Sequence, residues 1–300
     1  MKRALGFAVL LLSLVLVLAT LTPPERAAEG KHMRPLLPRA SLLHLGGRAF
    51  LSLVADYYWL QTIQLTGRAR TAEEYRDIAD YAQLVTDLDP DFAYVYQFGG
   101  VVVPFNYGRE TWVNTAESTA LLEKALARYP VSTPGTWSPA TYLFLRILVA
   151  YNWSVFQKEY ARAAHLLEET ARLPGAPPYL PFLTTRLYTQ AGSFDAADAF
   201  ATQFATAAAD PDTRAAFERR KDEIALERIL RTLDEAVAAY RERRGRLPAQ
   251  LRELVSDGLL PALPEDPLGG HIYLGEDGRT YSTSQEHRLE VYEPLKDEKR

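Results

Sequence analysis

The chain has 300 residues, 47% hydrophobic and 24% charged, a balance that supports a packed core and excludes a disordered or collagen-like chain. It contains no cysteine, which removes disulfides, thiolate catalysis, cysteine-ligated metals and lipid attachment at a cysteine. A formal charge of -4 gives no global attraction for nucleic acid.

Lys2 and Arg3 precede Ala4 to Leu21, a run of 18 residues without a charge in which only Ser13 and Thr20 are polar, and Pro23-Pro24 follow it. As a helix this run rises about 27 Å, close to the roughly 30 Å hydrocarbon core of a bilayer. Residues 1–23 therefore read as a signal anchor or transmembrane helix, with a signal peptide cleaved near Val17-Leu18-Ala19 as the alternative. In both cases the positive flank stays in the cytoplasm and the remainder is exported. Residues 24–39, with Pro24, Pro35, Pro38, Gly30 and several basic side chains, have the composition of an extended linker.

Helices follow. Phe50, Val54, Tyr57 and Gln61, flanked by Leu51, Tyr58 and Leu65, recur at three- and four-residue steps, which predicts an almost fully buried helix from Ala40 to Thr66, ended by Gly67. Thr71-Ala-Glu-Glu is a helix cap, and the helix it starts runs to Leu88 and stops at Asp89-Pro90. This helical hairpin recurs. Pairs close at Pro90, Pro130, Pro174 and Pro211, at intervals of 40, 44 and 37 residues. A two-helix unit of that size buries its apolar face only by stacking on its neighbours, which predicts an α-solenoid over residues 40–211.

Tyr96 with Gly100, Tyr160 with Ala163, Phe194 with Ala197, and Pro90, Pro130 and Pro211 occupy positions of an aromatic–small–proline pattern, and on these residues the segment from about 45 to 211 resembles the tetratricopeptide repeat family. That resemblance implies a stack of helix pairs that binds protein partners. The period here is longer than the usual 34 residues of the family.

Residues 212–245 predict one long amphipathic helix, with Leu226, Ile229, Leu230, Leu233, Val237 and Tyr240 on one stripe and Gly245 as its stop. In residues 246–300 the texture changes to short Leu- and Pro-rich segments, and Asp277-Gly278 between two short alternating runs predicts a hairpin. Tyr240, Gly245, Pro248, Leu251, Leu254, Gly258, Leu260, Pro261, Pro264, Asp266, Pro267, Gly269, Tyr273 and Tyr281 follow one another in the order found in the major pseudopilins of type II secretion, which residues 236–284 resemble. The resemblance implies a small α+β module used for interaction. Gly6-Phe7 matches the processing site of that family, but Leu11 stands where a glutamate is expected, which speaks against self-polymerisation.

Chemistry-bearing motifs are sparse. His32, His44, His165, His271 and His287 never pair at three- or four-residue spacing, and no HExxH, GxSxG, P-loop or GxGxxG is present, so no catalytic, metal or cofactor site is assigned. Glu265, Asp266, Glu276 and Asp277 serve either as turn formers or as oxygen ligands for calcium. Aromatics are the remaining signal, and Tyr57, Trp59, Tyr94, Tyr96, Phe98, Tyr107 and Trp112 are the candidate partner contacts. The sequence thus predicts a mainly α protein without enzymatic activity or cofactor. It would be held at the bacterial inner membrane, or released to the periplasm if cleaved, and act as a scaffold for protein partners in an envelope assembly such as secretion or pilus biogenesis. An accessory subunit that delivers a ligand to a membrane transporter is the alternative.

Overall fold

The protein, a computed structural model, is described over residues 32–44, 48–106, 112–129 and 137–291. It divides into two compact units, Met1–Pro35 and Leu36–Arg300. The expected anchor, Ala4 to Leu21, lies outside the described residues, and among those described no helix is long and apolar enough to cross a membrane.

The larger unit is mainly helical. Its elements in chain order are α1 (Ala40–Leu43), α2 (Arg48–Arg68), α3 (Ala72–Leu88), α4 (Ala93–Val102), β1 (Phe105–Asn106), β2 (Trp112–Val113), α5 (Thr115–Arg128), α6 (Pro139–Val155), α7 (Tyr160–Ala171), α8 (Leu180–Gln190), α9 (Phe194–Ala207), α10 (Pro211–Arg244), α11 (Arg252–Ser256), β3 (Ile272–Leu274) and β4 (Thr280–Ser282). Helices α3, α5, α7 and α9 end within four residues of the prolines at 90, 130, 174 and 211, where the missing N–H and fixed φ of proline oppose further helix.

Local chemistry sets the helix starts. Thr71 and Glu74 form a reciprocal capping box on α3, the Thr71 hydroxyl accepting from Glu74 N at 3.3 Å and the Glu74 carboxylate accepting from Thr71 N at 3.0 Å. Asp210 caps α10 by accepting from Thr213 N at 2.8 Å, and Pro211 sits where a helix tolerates proline.

Successive helices double back on one another. Arg146 of α6 meets Thr170 of α7, while Trp153, farther along α6, lies under Arg162, earlier in α7. In the same way α9 and α10 meet at Asp195–Arg228 and again at Phe204–Phe217. Alternate helices run parallel. From α3 to α5 and the turn beside each, Arg76 pairs with Glu117, Asp87 with Lys124 and Asp91 with Arg128, sequence separations of 41, 37 and 37 residues. From α8 to α10, Phe182 stacks on Phe217 at 4.5 Å and the Gln190 carbonyl accepts from Arg231.

The tightest approach is α4 on α5. A Cβ on Gly99 would overlap Leu121 Cδ2, and one on Gly100 would come within 2.7 Å of Leu122 Cδ2, so any larger residue at either position would force these leucine side chains to shift. On the second helices, small residues fill the contact: Ala163, Ala164, Ala197 and Ala201 are fully buried.

Two expectations need correction. The segment 40–66 is divided between α1 and α2, and α2 is not almost fully buried. Leu51, Ala55 and Thr62 face the core, whereas Leu53, Leu60 and Ile63 are exposed, because the described residues pack on one side of α2 while its apolar residues run around more of its circumference.

Helix α10 serves two cores. Phe217 and Ile224 belong to the helical body, whereas Leu233, Ala236, Val237 and Tyr240 join Leu254, Leu247, Leu251, Leu259, Leu260, Ile272 and Leu274 in a second cluster. Gly245 ends α10 in the left-handed conformation (φ 69°). The expected hairpin forms, with Ile272↔Ser282, Tyr273↔Tyr281 and Leu274↔Thr280 in antiparallel register and Gly278 at φ 81° in its turn. Between the two cores Arg288 is clasped: it donates to both oxygens of the fully buried Glu227 (2.6 and 2.8 Å), to Asp234 (2.9 Å) and to the Thr280 carbonyl (2.9 Å). The chain then returns to the helical body, where Leu289 is buried and Val291 N donates to Gln190 Oε1.

Candidate partner interface

In the helical hairpins the first and second helices present different surface chemistry. Second helices are linked by ion pairs, among them Arg76–Glu117 and Lys124–Asp87, joining α3 to α5, and Arg162–Glu123, joining α7 to α5. First helices carry few charges. Helix α4 has none, and the single charge of α6, Arg146, is 2% exposed and held by Glu169 (2.6 Å), Thr170 and the Leu166 carbonyl. On α2 the exposed Asp56 stands between Leu53 and Leu60.

Large apolar side chains dominate this surface. Leu53, Leu60 and Ile63 on α2, Tyr94 and Val101 on α4, and Phe144 and Tyr151 on α6 are each 45–59% exposed. Among the described residues no large hydrophobic on α3, α5, α7 or α9 is exposed to that degree. Leu53 and Leu60, Tyr94 and Val101, and Phe144 and Tyr151 are each seven residues apart, so each helix repeats its apolar contact after two turns, about 10.5 Å. Each of these helices is therefore apolar on two stripes, one against the core and one outward.

Rings bind the helices of this face together. Trp59 of α2 makes edge contacts with Phe92, Tyr94 and Phe98 at 5.7, 5.7 and 5.1 Å. Beside α6, Trp112 of β2 lies 5.4 Å from Phe156, which in turn meets Tyr151 at 5.7 Å. Such edge-to-face arrays fix ring orientation.

Among the residues expected to contact a partner, Tyr94 and Trp112 are exposed, and Tyr57, Trp59 and Phe98 are half-buried. Tyr107 lies outside the described residues. Tyr96 is a correction: it is fully buried, packs on Trp137 at 5.7 Å, and donates to the Pro90 carbonyl at 3.2 Å. Its burial pushes the phenol up to about 12, so it stays a neutral core hydrogen-bond donor. Sequence reasoning missed Leu53, Leu60, Ile63, Val101, Phe144 and Tyr151. Their signal was the seven-residue spacing of a second apolar stripe, which aromatic density alone does not reveal.

Of the acidic turn residues of the C-terminal segment, Asp266 and Asp277 are engaged in hydrogen bonds within the chain. Asp266 accepts from the Ser282 and Ser284 hydroxyls and from Leu268 N, and although burial acts to raise its pKa, these bonds outweigh it and hold the carboxyl below its usual range. Asp277 accepts from Arg279 N and the Tyr281 hydroxyl. Among the described residues no group of three or more acidic or histidine side chains is placed to hold a metal ion. A cleft between α5 and α6, lined by Leu126, Tyr129, Trp137, Tyr142, Leu145 and Val149, encloses about 180 Å³ including its open mouth, less than the roughly 300–1,000 Å³ of ligand pockets. No protein-family model, curated protein or solved structure matches the chain.

Proposed function

We propose that this protein is a non-enzymatic scaffold whose helix pairs, stacked in a tetratricopeptide-like α-solenoid, hold a protein partner on the outward face of α2, α4 and α6. In this reading the N-terminal segment anchors the chain in the bacterial inner membrane with its body in the periplasm. The C-terminal segment is a pseudopilin-like interaction module, and the assembly served is one of secretion or pilus biogenesis. The observation that carries the reading is that, among the described residues of helices α2 to α9, the large apolar side chains exposed by 45% or more lie on α2, α4 and α6 and not on the second helices α3, α5, α7 and α9. Soluble monomers rarely expose contiguous apolar patches of more than a few hundred Å², and larger ones mark interaction sites. Parallel alternate helices joined at separations of 37 and 41 residues support the stacked arrangement.

The test is comparative affinity capture from detergent-solubilised membranes. Leu60→Ser, Tyr94→Ser and Tyr151→Ser combined should remove specific partners retained by the wild type while the circular dichroism spectrum and melting temperature stay close to wild type. Equal capture by both proteins would overturn the assignment of this face.

A further inference from the structure

We infer that the seam between α8 and α10 is an oxyanion-binding site, in which Arg186 and Arg220 take a carboxylate or phosphate group of a ligand from outside the chain. The site lies on other helices than the proposed partner face and stands independently of that reading. Position comes first. Helices α8 and α10 meet where Phe182 stacks on Phe217 at 4.5 Å. The Arg220 guanidinium lies over the Phe182 ring, 5.1 Å from its centroid. Arg186 is four residues along α8 from Phe182, so it projects from the same side of that helix one turn farther on.

Charge accounting then shows what the seam lacks. Arg220 pairs with Glu223 at 3.0 Å, but the same carboxylate also serves Arg219 at 3.2 Å. The Arg220 side chain is only 12% exposed, and its buried Nε has no hydrogen-bond partner. Arg186 is exposed and makes no ion pair or hydrogen bond among the described residues. Of the other acids beside Arg220 in sequence, Glu218 is taken by Lys221 at 3.0 Å, and the exposed Asp222 pairs with none of these arginines. Three guanidiniums thus have one carboxylate between them. Burial pushes the Arg220 guanidinium down from its ordinary value, Glu223 acts to raise it, and the like charge of Arg186 lowers it further. A desolvated cation with an unspent donor, beside a second cation without a counter-ion, is costly, and one oxyanion relieves both. The planar guanidinium fork suits that ligand class because it donates to two oxygens of a carboxylate or phosphate at once.

The test is nuclear magnetic resonance of the full-length protein labelled with nitrogen-15 arginine. The Arg220 Nε–H resonance is identified by its loss in Arg220→Lys or, should that variant not fold, by its contact with the Phe182 ring protons. Acetate and inorganic phosphate are titrated separately at an ionic strength held constant with chloride, which fixes screening. Expected is a saturable shift of this resonance with at least one of the two anions and none with chloride. In Arg186→Gln, which removes a side chain without partners and should melt as wild type does, the affinity should fall at least about tenfold, as loss of a charge-assisted hydrogen bond requires. No saturable shift with either anion, or unchanged affinity in Arg186→Gln, would overturn the inference. So would a shift of the resonance on Glu293→Gln with no anion added. That result would give the site to the chain's own carboxylate two residues beyond Val291, whose N–H is bonded to Gln190 of α8.

Discussion

Arg288 holds the C-terminal segment against α10, and replacing it by methionine isolates the worth of that contact. Its guanidinium is 5% exposed and the Glu227 carboxylate 0%, so both charges are out of water. Arg288 supplies a hydrogen bond to each Glu227 oxygen; without it that carboxylate keeps Leu289 N at 3.2 Å and Arg231 at 3.5 Å. Burial acts to lower the pKa of Arg288, but the hydrogen bond and charge of Glu227 outweigh it and raise it above the ordinary guanidinium value, so the guanidinium stays charged. Removing one partner of a buried pair costs about 3–5 kcal/mol because the other charge is left uncompensated, whereas replacing both by apolar residues is often near neutral. Arg288→Met is therefore expected to lose about 3–5 kcal/mol in urea unfolding, and the Arg288→Met/Glu227→Met double variant to recover most of it. Hydrogen exchange should quicken first at β4 and Leu289, which the clasp touches. A loss under about 1 kcal/mol for the single variant, or a double variant worse than the sum of the singles, would refute the reasoning.

Gly99→Val should destabilise by about 1–3 kcal/mol through overpacking against Leu121, despite the higher helix propensity of the new residue, as read by thermal unfolding. Tyr96→Ser should cost about 3–5 kcal/mol as a cavity in the core, while Tyr151→Ser changes stability by less than about 0.5 kcal/mol, a contrast that denaturant titration reads directly. The Tyr240 hydroxyl, then Arg246 and Ala249 N, pull the Glu253 carboxyl down from 4.5 to about 2 in the folded state. A depressed folded-state value stabilises at pH above 4.5, and that contribution is lost as pH falls from 4.5 towards 2. Acid melting of the segment around α11 should follow this window in wild type and flatten there in Glu253→Gln.

Local signals were the legible ones. The capping box of Thr71 and Glu74, the proline-marked helix ends, the Gly245 stop and the Asp277-Gly278 turn are each decided within a few residues, and each appears where the sequence placed it. What depended on tertiary packing was not legible. Tyr94 and Tyr96 are two residues apart on one helix, yet one is 57% exposed and the other fully buried, and only the position of α5 and Trp137 decides between them. Leu60 reads as core by type, yet it is 56% exposed because no described residue packs over it. The Glu227–Arg288 clasp joins residues 61 apart, with no spacing rule to announce it. The two-residue strands β1 and β2 are too short for any periodicity to show.

Partner capture by the outward face of the first helices is tested most directly by site-specific photocrosslinking in native membranes. A photoreactive residue at Leu60, Tyr94 or Tyr151 should yield one common crosslinked partner of defined mass, and the same probe at Ala127 or Arg162 on the ion-paired surface of α5 and α7 should not. Crosslinks formed equally from both surfaces, or from the α5 and α7 positions alone, would contradict capture by this face.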